Sequence, residues 1–328
     1  MISVALFLSR KDVELVLKMD DAIEVVEEAF KELAVGSAHM PVRQVIKIQN
    51  GTVGFMPAYL QGMNAVGVKV VSLFAQNPTK HNLPTTLAVV LLTNPENGTL
   101  LAIMDGTFLT AMRTGAASGV ATKYLSRKDA AELGVIGTGV QARTQVAAVC
   151  RVRPIEKVKA YDVIPTRRES FCKEIAKTYK VTVQGVETCE DAARGSDIII
   201  TCSTSKTPVL NGAWLEEGTH VNAIGSHAPD ARELDSAVIK KAKLVVDSRE
   251  AALKEAGDIL IPISEGLITA DHIYAELGEV VAGKKLGRQN DSEITIFKSQ
   301  GLAIQDVSTA MKTYELAKKK KIGKNLTL

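Results

Sequence analysis

Residues 132 to 142 constrain the fold more tightly than any other stretch of this chain. Glu132 to Ile136 reads as a short apolar strand, followed at once by Gly137-Thr138-Gly139-Val140-Gln141-Ala142 and a helical segment, Gln141 to Cys150. In such a turn the first glycine allows a sharp exit from the strand and the second lets a phosphate approach the backbone. A small sixth residue lets the helix pack close. The hexapeptide alone is weak evidence, but a second strand, Val158 to Tyr161, ends at Asp162, at the ~20-residue spacing of a ribose-binding carboxylate. Together they predict a dinucleotide-binding Rossmann domain whose Gly137, Thr138, Gly139, Val140 and Gln141 cradle the pyrophosphate. Asp162 favours NAD(H), because a carboxylate repels a 2′-phosphate. Arg167 and Arg168, at the start of the next helix (Thr166 to Tyr179), would bind that phosphate and admit NADP(H) instead.

Beyond Asp162, short apolar runs at Ile198 to Cys202, His220 to Ile224 and Leu244 to Val246 alternate with helical or turn segments. Alternation requires crossovers and implies a doubly wound parallel sheet, so the fold class is α/β. Ser203, Thr204, Ser226 and His227 follow strand ends, where ligands bind in open sheets of this kind. The first third reads differently. Ser9 is a candidate N-cap for one or two helices that end at Gly36. Val42 to Gln49 and the run to Met56-Pro57 flank Asn50-Gly51 as a hairpin. Gly67 to Leu73, Leu87 to Leu92 and Leu100 to Met104 add strands, giving an α+β domain with a largely antiparallel sheet. A closing amphipathic helix, Asp306 to Lys319, is expected to pack back on it, with Lys318 to Lys321 as its solvated basic end.

Composition excludes several classes. Lys plus Arg is 40 against 37 Asp plus Glu, a net charge of +3, which is no nucleic-acid footprint and leaves a small anionic substrate open. No run approaches a membrane span, and the N-terminus lacks the basic region and cleavage site of a signal peptide, so a cytoplasmic protein is expected. Cys150, Cys172, Cys189 and Cys202 form neither a disulfide framework nor a metal-ligand spacing; reduced thiols and no metal are expected.

Three basic residues stand in unusual places. Arg43 follows Pro41-Val42, Lys69 is embedded in Val66-Gly67-Val68-Lys69-Val70-Val71, and Arg113 precedes Thr114-Gly115-Ala116, read as a helix start. A lysine in so apolar a strand must reach solvent, a carboxylate or a ligand. A guanidinium fork matches a substrate carboxylate.

The segments Met40-Pro41-Val42-Arg43, Met56-Pro57-Ala58-Tyr59, Gly67-Val68-Lys69, Arg113-Thr114-Gly115-Ala116-Ala117-Ser118, Gly137 to Ala142 and Gly301-Leu302-Ala303-Ile304-Gln305-Asp306 resemble the ornithine cyclodeaminase/mu-crystallin family, in order and along the whole chain. The resemblance implies a homodimer with two domains. Residues 1–115 with 307–328 would form the substrate-binding and dimerisation domain, and residues 116–306 the NAD(P)-binding domain. It implies that Arg43, Lys69 and Arg113 converge on a substrate carboxylate and its nitrogen opposite the nicotinamide, with Thr114 among the cofactor contacts. Ornithine cyclodeaminases carry an acidic residue where this chain has Gly54 and a catalytic Asp where it has His227. The loop from Ser226 to Leu234 is more similar to ketimine reductases, and His227 becomes a candidate contact to nicotinamide or substrate. The expected activity is NAD(P)H-dependent reduction of a small cyclic ketimine carboxylate, Δ1-pyrroline-2-carboxylate to L-proline. Alanine dehydrogenase, ornithine cyclodeaminase and a mu-crystallin-like binding protein without turnover are the alternatives.

Overall fold

The Ser9 side chain accepts from the Asp12 amide while Asp12 accepts from the Ser9 amide at 2.9 Å, and this reciprocal cap starts the first helix. The fold is seen in a computed structural model that describes residues 4–327. In chain order it begins β1 (Val4–Leu8), α1 (Arg10–Val16), α2 (Met19–Val35), β2 (Ala38–His39), β3 (Gln44–Ile48), β4 (Gly51–Leu60), β5 (Ala65–Leu73), α3 (Asn77–Lys80), β6 (Thr86–Thr93), β7 (Leu100–Asp105) and α4 (Gly106–Leu125). The middle runs β8 (Glu132–Ile136), α5 (Val140–Val152), β9 (Lys157–Tyr161), α6 (Pro165–Tyr179), β10 (Thr182–Gly185), α7 (Cys189–Ala193), β11 (Ile198–Thr201) and β12 (His220–Ala223). It continues α8 (Ser236–Lys241), β13 (Lys243–Val246), α9 (Arg249–Glu255), α10 (Gly257–Ser264), β14 (Ile273–Glu276), α11 (Leu277–Val281) and β15 (Thr295–Lys298). The chain closes with α12 (Ala303–Lys320) and β16 (Lys324–Thr327).

These elements form two compact units, residues 4–114 with 302–327 and residues 115–301. The second boundary lies earlier than the expected 306/307. Gln305 and Asp306 belong to the first turn of α12, and α12 packs on α2, β4 and β5.

The first unit holds one sheet in the order β16-β1-β7-β6-β5-β4-β2, with β3 also paired to β4. All its ladders are antiparallel except β1 with β7. Alternate residues of β4 to β7 are buried: Met56 pairs with Lys69, Lys69 with Val90, and Val90 with Met104. All four lie on one covered face, and Lys69 is the only charge in that row. The basic run ends α12 in solvent as expected, but β1 and β16 were not legible. Each is a short terminal strand whose only rationale is the partner it meets in space.

The second unit holds an all-parallel sheet in the order β10-β9-β8-β11-β12-β15-β13-β14. Leu133, Val135, Val158, Ala160, Ile198 and Ile200 pack on α5 and α6 through Ala142, Val146, Val149, Phe171 and Ile175. The strand order reverses between β8 and β11, and that switch point is where an open sheet leaves a crevice at its carboxyl ends.

Candidate active site

The turn after β8 has the backbone that its glycines predict. Gly137 has φ +94, and a Cβ there would lie 2.9 Å from the Cys202 carbonyl, so only glycine fits. Gly139 is the N-cap of α5, and a Cβ there would meet nothing within 4 Å. The first helical residue, Val140, is 70% exposed, whereas Ala142 is fully buried against the sheet. No side chain caps α5, so its first amides stay directed at the space beside Gly139. Gln141, in the same turn, has a buried Oε1 without a hydrogen-bond donor. An open cradle at a helix N-terminus that no side chain caps fits a dinucleotide pyrophosphate.

Asp162 holds this loop from the next strand end. Its Oδ2 accepts from the Thr138 amide and hydroxyl at 2.8 and 2.9 Å, and its Oδ1 from the Ile164 amide at 2.9 Å. Burial alone would raise its pKa, but these bonds and the Arg167 charge hold the carboxyl below its ordinary value. The arginine pair divides. Arg168 is buried and donates to the Val186 carbonyl and to Glu187 at 2.5 and 2.6 Å, so it is a structural residue. Arg167 is exposed, and of the pair it is the one whose charge acts on Asp162.

A buried ionic network that sequence reasoning missed sets the crevice loops. Ser203 donates from its amide and hydroxyl to Glu233, which also accepts from the Gly225 amide. Asp258 accepts from the Glu233 amide at 2.7 Å and pairs with Lys298 at 2.9 Å. Lys298 also donates to the Ser226 carbonyl. Burial pushes the Glu233 carboxyl above its ordinary range, against the pull of Ser203 and Lys298. The Ser226 hydroxyl is turned inward to the Ala231 carbonyl, while Thr204 and His227 are exposed. His227 Nδ1 lies 3.2 Å from Gln300 Oε1. Lys298 and Asp258 sit in four- and eight-residue elements far apart in sequence, and no local pattern couples them.

In the first unit, Lys69 and Arg113 meet on one carboxylate. Lys69 Nζ donates to Asp306 Oδ1 at 2.8 Å and Arg113 Nε to the same oxygen at 3.0 Å, while Arg113 Nη1 donates to Gln305 Oε1 at 2.6 Å. Lys69 is 1% and Asp306 0% exposed. Burial is the main cause that lowers the Lys69 pKa to about 7; Arg113 adds to it, Asp306 opposes it and Arg43 lowers it further. Two placements differ from expectation. Arg113 lies in the middle of α4 rather than before a helix start, because Asp105 accepts from the Phe108 amide and caps the helix at Gly106. Arg43 stands in the loop one residue before β3 rather than within a strand. The Thr114 hydroxyl donates to the Thr110 carbonyl of its own helix at 2.7 Å.

A model of the ornithine cyclodeaminase/mu-crystallin family matches residues 3–321. The chain belongs to the ornithine cyclodeaminase/mu-crystallin family. Among solved family structures, the Δ1-pyrroline-2-carboxylate reductase of Thermococcus litoralis, in complex with NADH and L-proline, is 52% identical. It superposes with a TM-score of 0.95 over 98% of this chain and all of that one. An archaeal alanine dehydrogenase dimer with bound NAD is 42% identical, with a TM-score of 0.94 over 98% of this chain and 99% of that one. The alanine dehydrogenase of Archaeoglobus fulgidus is 44% identical over 324 residues, 98% of each chain. The reductase branch expected from Gly54 and His227, and the alanine dehydrogenase alternative, are the ones these family members represent. Among the described residues, no helix is long and apolar enough to cross a membrane.

Proposed function

We propose that this chain is an NAD(H)-dependent reductase of small cyclic ketimine carboxylates, acting on Δ1-pyrroline-2-carboxylate to form L-proline. The observation that carries the reading is the charge of the buried cluster: two cations, Lys69 and Arg113, share one oxygen of Asp306, with Arg43 nearby. Such an excess of buried positive charge calls for an anionic ligand, and a carboxylate suits the two guanidiniums. Gly54 on β4 and His227 offer no carboxylate for a distal ammonium, which favours a cyclic imine over ornithine. The two named relatives that bind NADH or NAD, and the reductase among them, support the same assignment.

Gly137 to Gln141 would hold the pyrophosphate and Asp162 the adenine ribose, with Ser203, Thr204, Ser226 and Thr114 around the rest. Arg167 is the residue that would admit NADP(H). Bound there, the reduced nicotinamide supplies the hydride equivalent for the C=N carbon. Arg43 and Arg113 orient the substrate carboxylate, and Lys69 gives a proton to the imine nitrogen. His227 contacts nicotinamide or substrate from its loop. A second reading, alanine dehydrogenase, is favoured by the 44% identical relative of that name. Following NADH and NADPH absorbance separates the readings. Oxidation by the cyclic imine alone, faster with NADH, is expected. Oxidation only with pyruvate plus ammonium makes the chain an alanine dehydrogenase, and ammonia release from ornithine without net NADH change overturns both.

We infer also that two copies pair through β3. This edge strand exposes Val45, Ile46 and Ile48 at 49%, 54% and 46%, and the archaeal relative is a dimer.

A further inference from the structure

Asp306 holds both buried cations through a single oxygen. Lys69 on β5 and Arg113 on α4 both donate to Oδ1, and the preceding residue, Gln305, accepts a second bond from the guanidinium. Asp306 lies in the first turn of the 18-residue α12, where the helix dipole favours an anion. Its second oxygen, Oδ2, is buried without a protein donor, and Gln305 Nε2 is buried without an acceptor. The charged groups that face the Lys69 ammonium are Asp306 from α12, Arg113 from α4 and Arg43 from the segment before β3. Its neighbours in the sheet row, Met56 and Val90, are uncharged. Burial and two guanidiniums therefore act together to remove the lysine proton, and Asp306 is the group that opposes them.

We propose that Asp306 is a positioning residue: it keeps Lys69 charged as the proton donor to the substrate nitrogen and, with Gln305, aims the Arg113 fork at the substrate carboxylate. The direction of proton transfer rests on the reductase reading; the hold on Lys69 does not. In the step, the C=N carbon would gain a C–H bond as the reduced dinucleotide gives up one of its own C–H bonds, proton and electron pair together, and is oxidised. The π pair of C=N takes a proton from Lys69, one Lys69 N–H bond breaks, and the neutral amine recovers its proton from solvent.

NMR titration of protein labelled with 13C at lysine Cε follows the ammonium directly, with Lys69→Met identifying the resonance. Lys69 should titrate near neutrality in the wild-type protein and about one pH unit or more lower in Asp306→Asn. The alkaline limb of kcat/KM should move with it, so activity falls at least ~tenfold more at high pH than at low pH, and Asp306→Glu should restore the limb. An unmoved midpoint, or a loss equal at every pH with the limb in place, overturns the proposal. If Asp306→Asn does not fold, Arg113→Met provides the complementary measurement. Removing the Arg113 charge, which itself lowers the Lys69 pKa, together with its claim on Oδ1 should raise the Lys69 midpoint, and no rise overturns the proposal. A lowered midpoint in Asp306→Asn, when the wild-type protein reduces no cyclic imine, supports the hold of Asp306 on Lys69 and overturns the reductase reading.

Discussion

Lys69 is a single charge set in a row of Met56, Val90 and Met104, and its consequences are measurable at the scale of one residue. Lys69→Met should lower kcat/KM for imine reduction by ~10²–10⁴, the range of general acid catalysis, while leaving NADH binding by the second unit intact. A variant within a factor of a few of wild type would remove the lysine from the mechanism. The same residue has a stability signature. Its folded-state pKa, about 7, lies below the ordinary 10.5, so the unfolded chain binds more protons between those values. The contribution of Lys69 to stability is therefore unfavourable below pH 7 and is relieved as pH rises from about 7 toward 10.5. Thermal melts at pH 7 and 9 should show wild type gaining relative to Lys69→Met; an equal difference at both pH values contradicts the assignment. Lys69 reached a carboxylate, one of the three fates its apolar surroundings allowed.

At the scale of elements, the β8–α5 turn separates folding from binding. Gly137→Ala meets both positive φ and the Cys202 carbonyl, and should destabilise the protein by about 1–3 kcal/mol. Gly139→Val meets open space at an extended φ of −73, and should cost about 1 kcal/mol or less. It should nevertheless weaken NADH binding by ~tenfold or more, because the side chain occupies the cradle. Fluorescence titration and denaturant unfolding of the two variants distinguish these outcomes; loss of stability in Gly139→Val would refute the cradle. The Glu233, Asp258 and Lys298 network gives a second prediction. Lys298→Met leaves Asp258 buried without its cation and should cost about 3–5 kcal/mol, read by urea unfolding. A cost below about 1 kcal/mol would show that water reaches the carboxylate.

For the whole molecule, the proposed pairing of two copies through the exposed apolar residues of β3 is open to a direct test. Ile46→Lys should convert a dimer to monomer in sedimentation, without loss of NADH binding; a wild-type monomer, or a variant that stays dimeric, removes β3 from the interface. What the sequence determined unaided is local. Gly137 to Ala142 at the end of an apolar strand, Asp162 after the next, Ser9 before a helix and Asn50-Gly51 between two extended runs each carry their geometry within a few residues, because turn and cap chemistry is short-ranged. Their order along the chain also carried the family. Tertiary structure alone decided the rest. It chose Asp306 as the carboxylate for Lys69 and Arg113, committed Arg168 to Val186 and Glu187, and placed β15, with its buried Lys298, between β12 and β13. Each gives a buried charge its partners from residues more than 15 positions away. Periodicity records which residues are buried, but not which opposite charge the fold will bring to them.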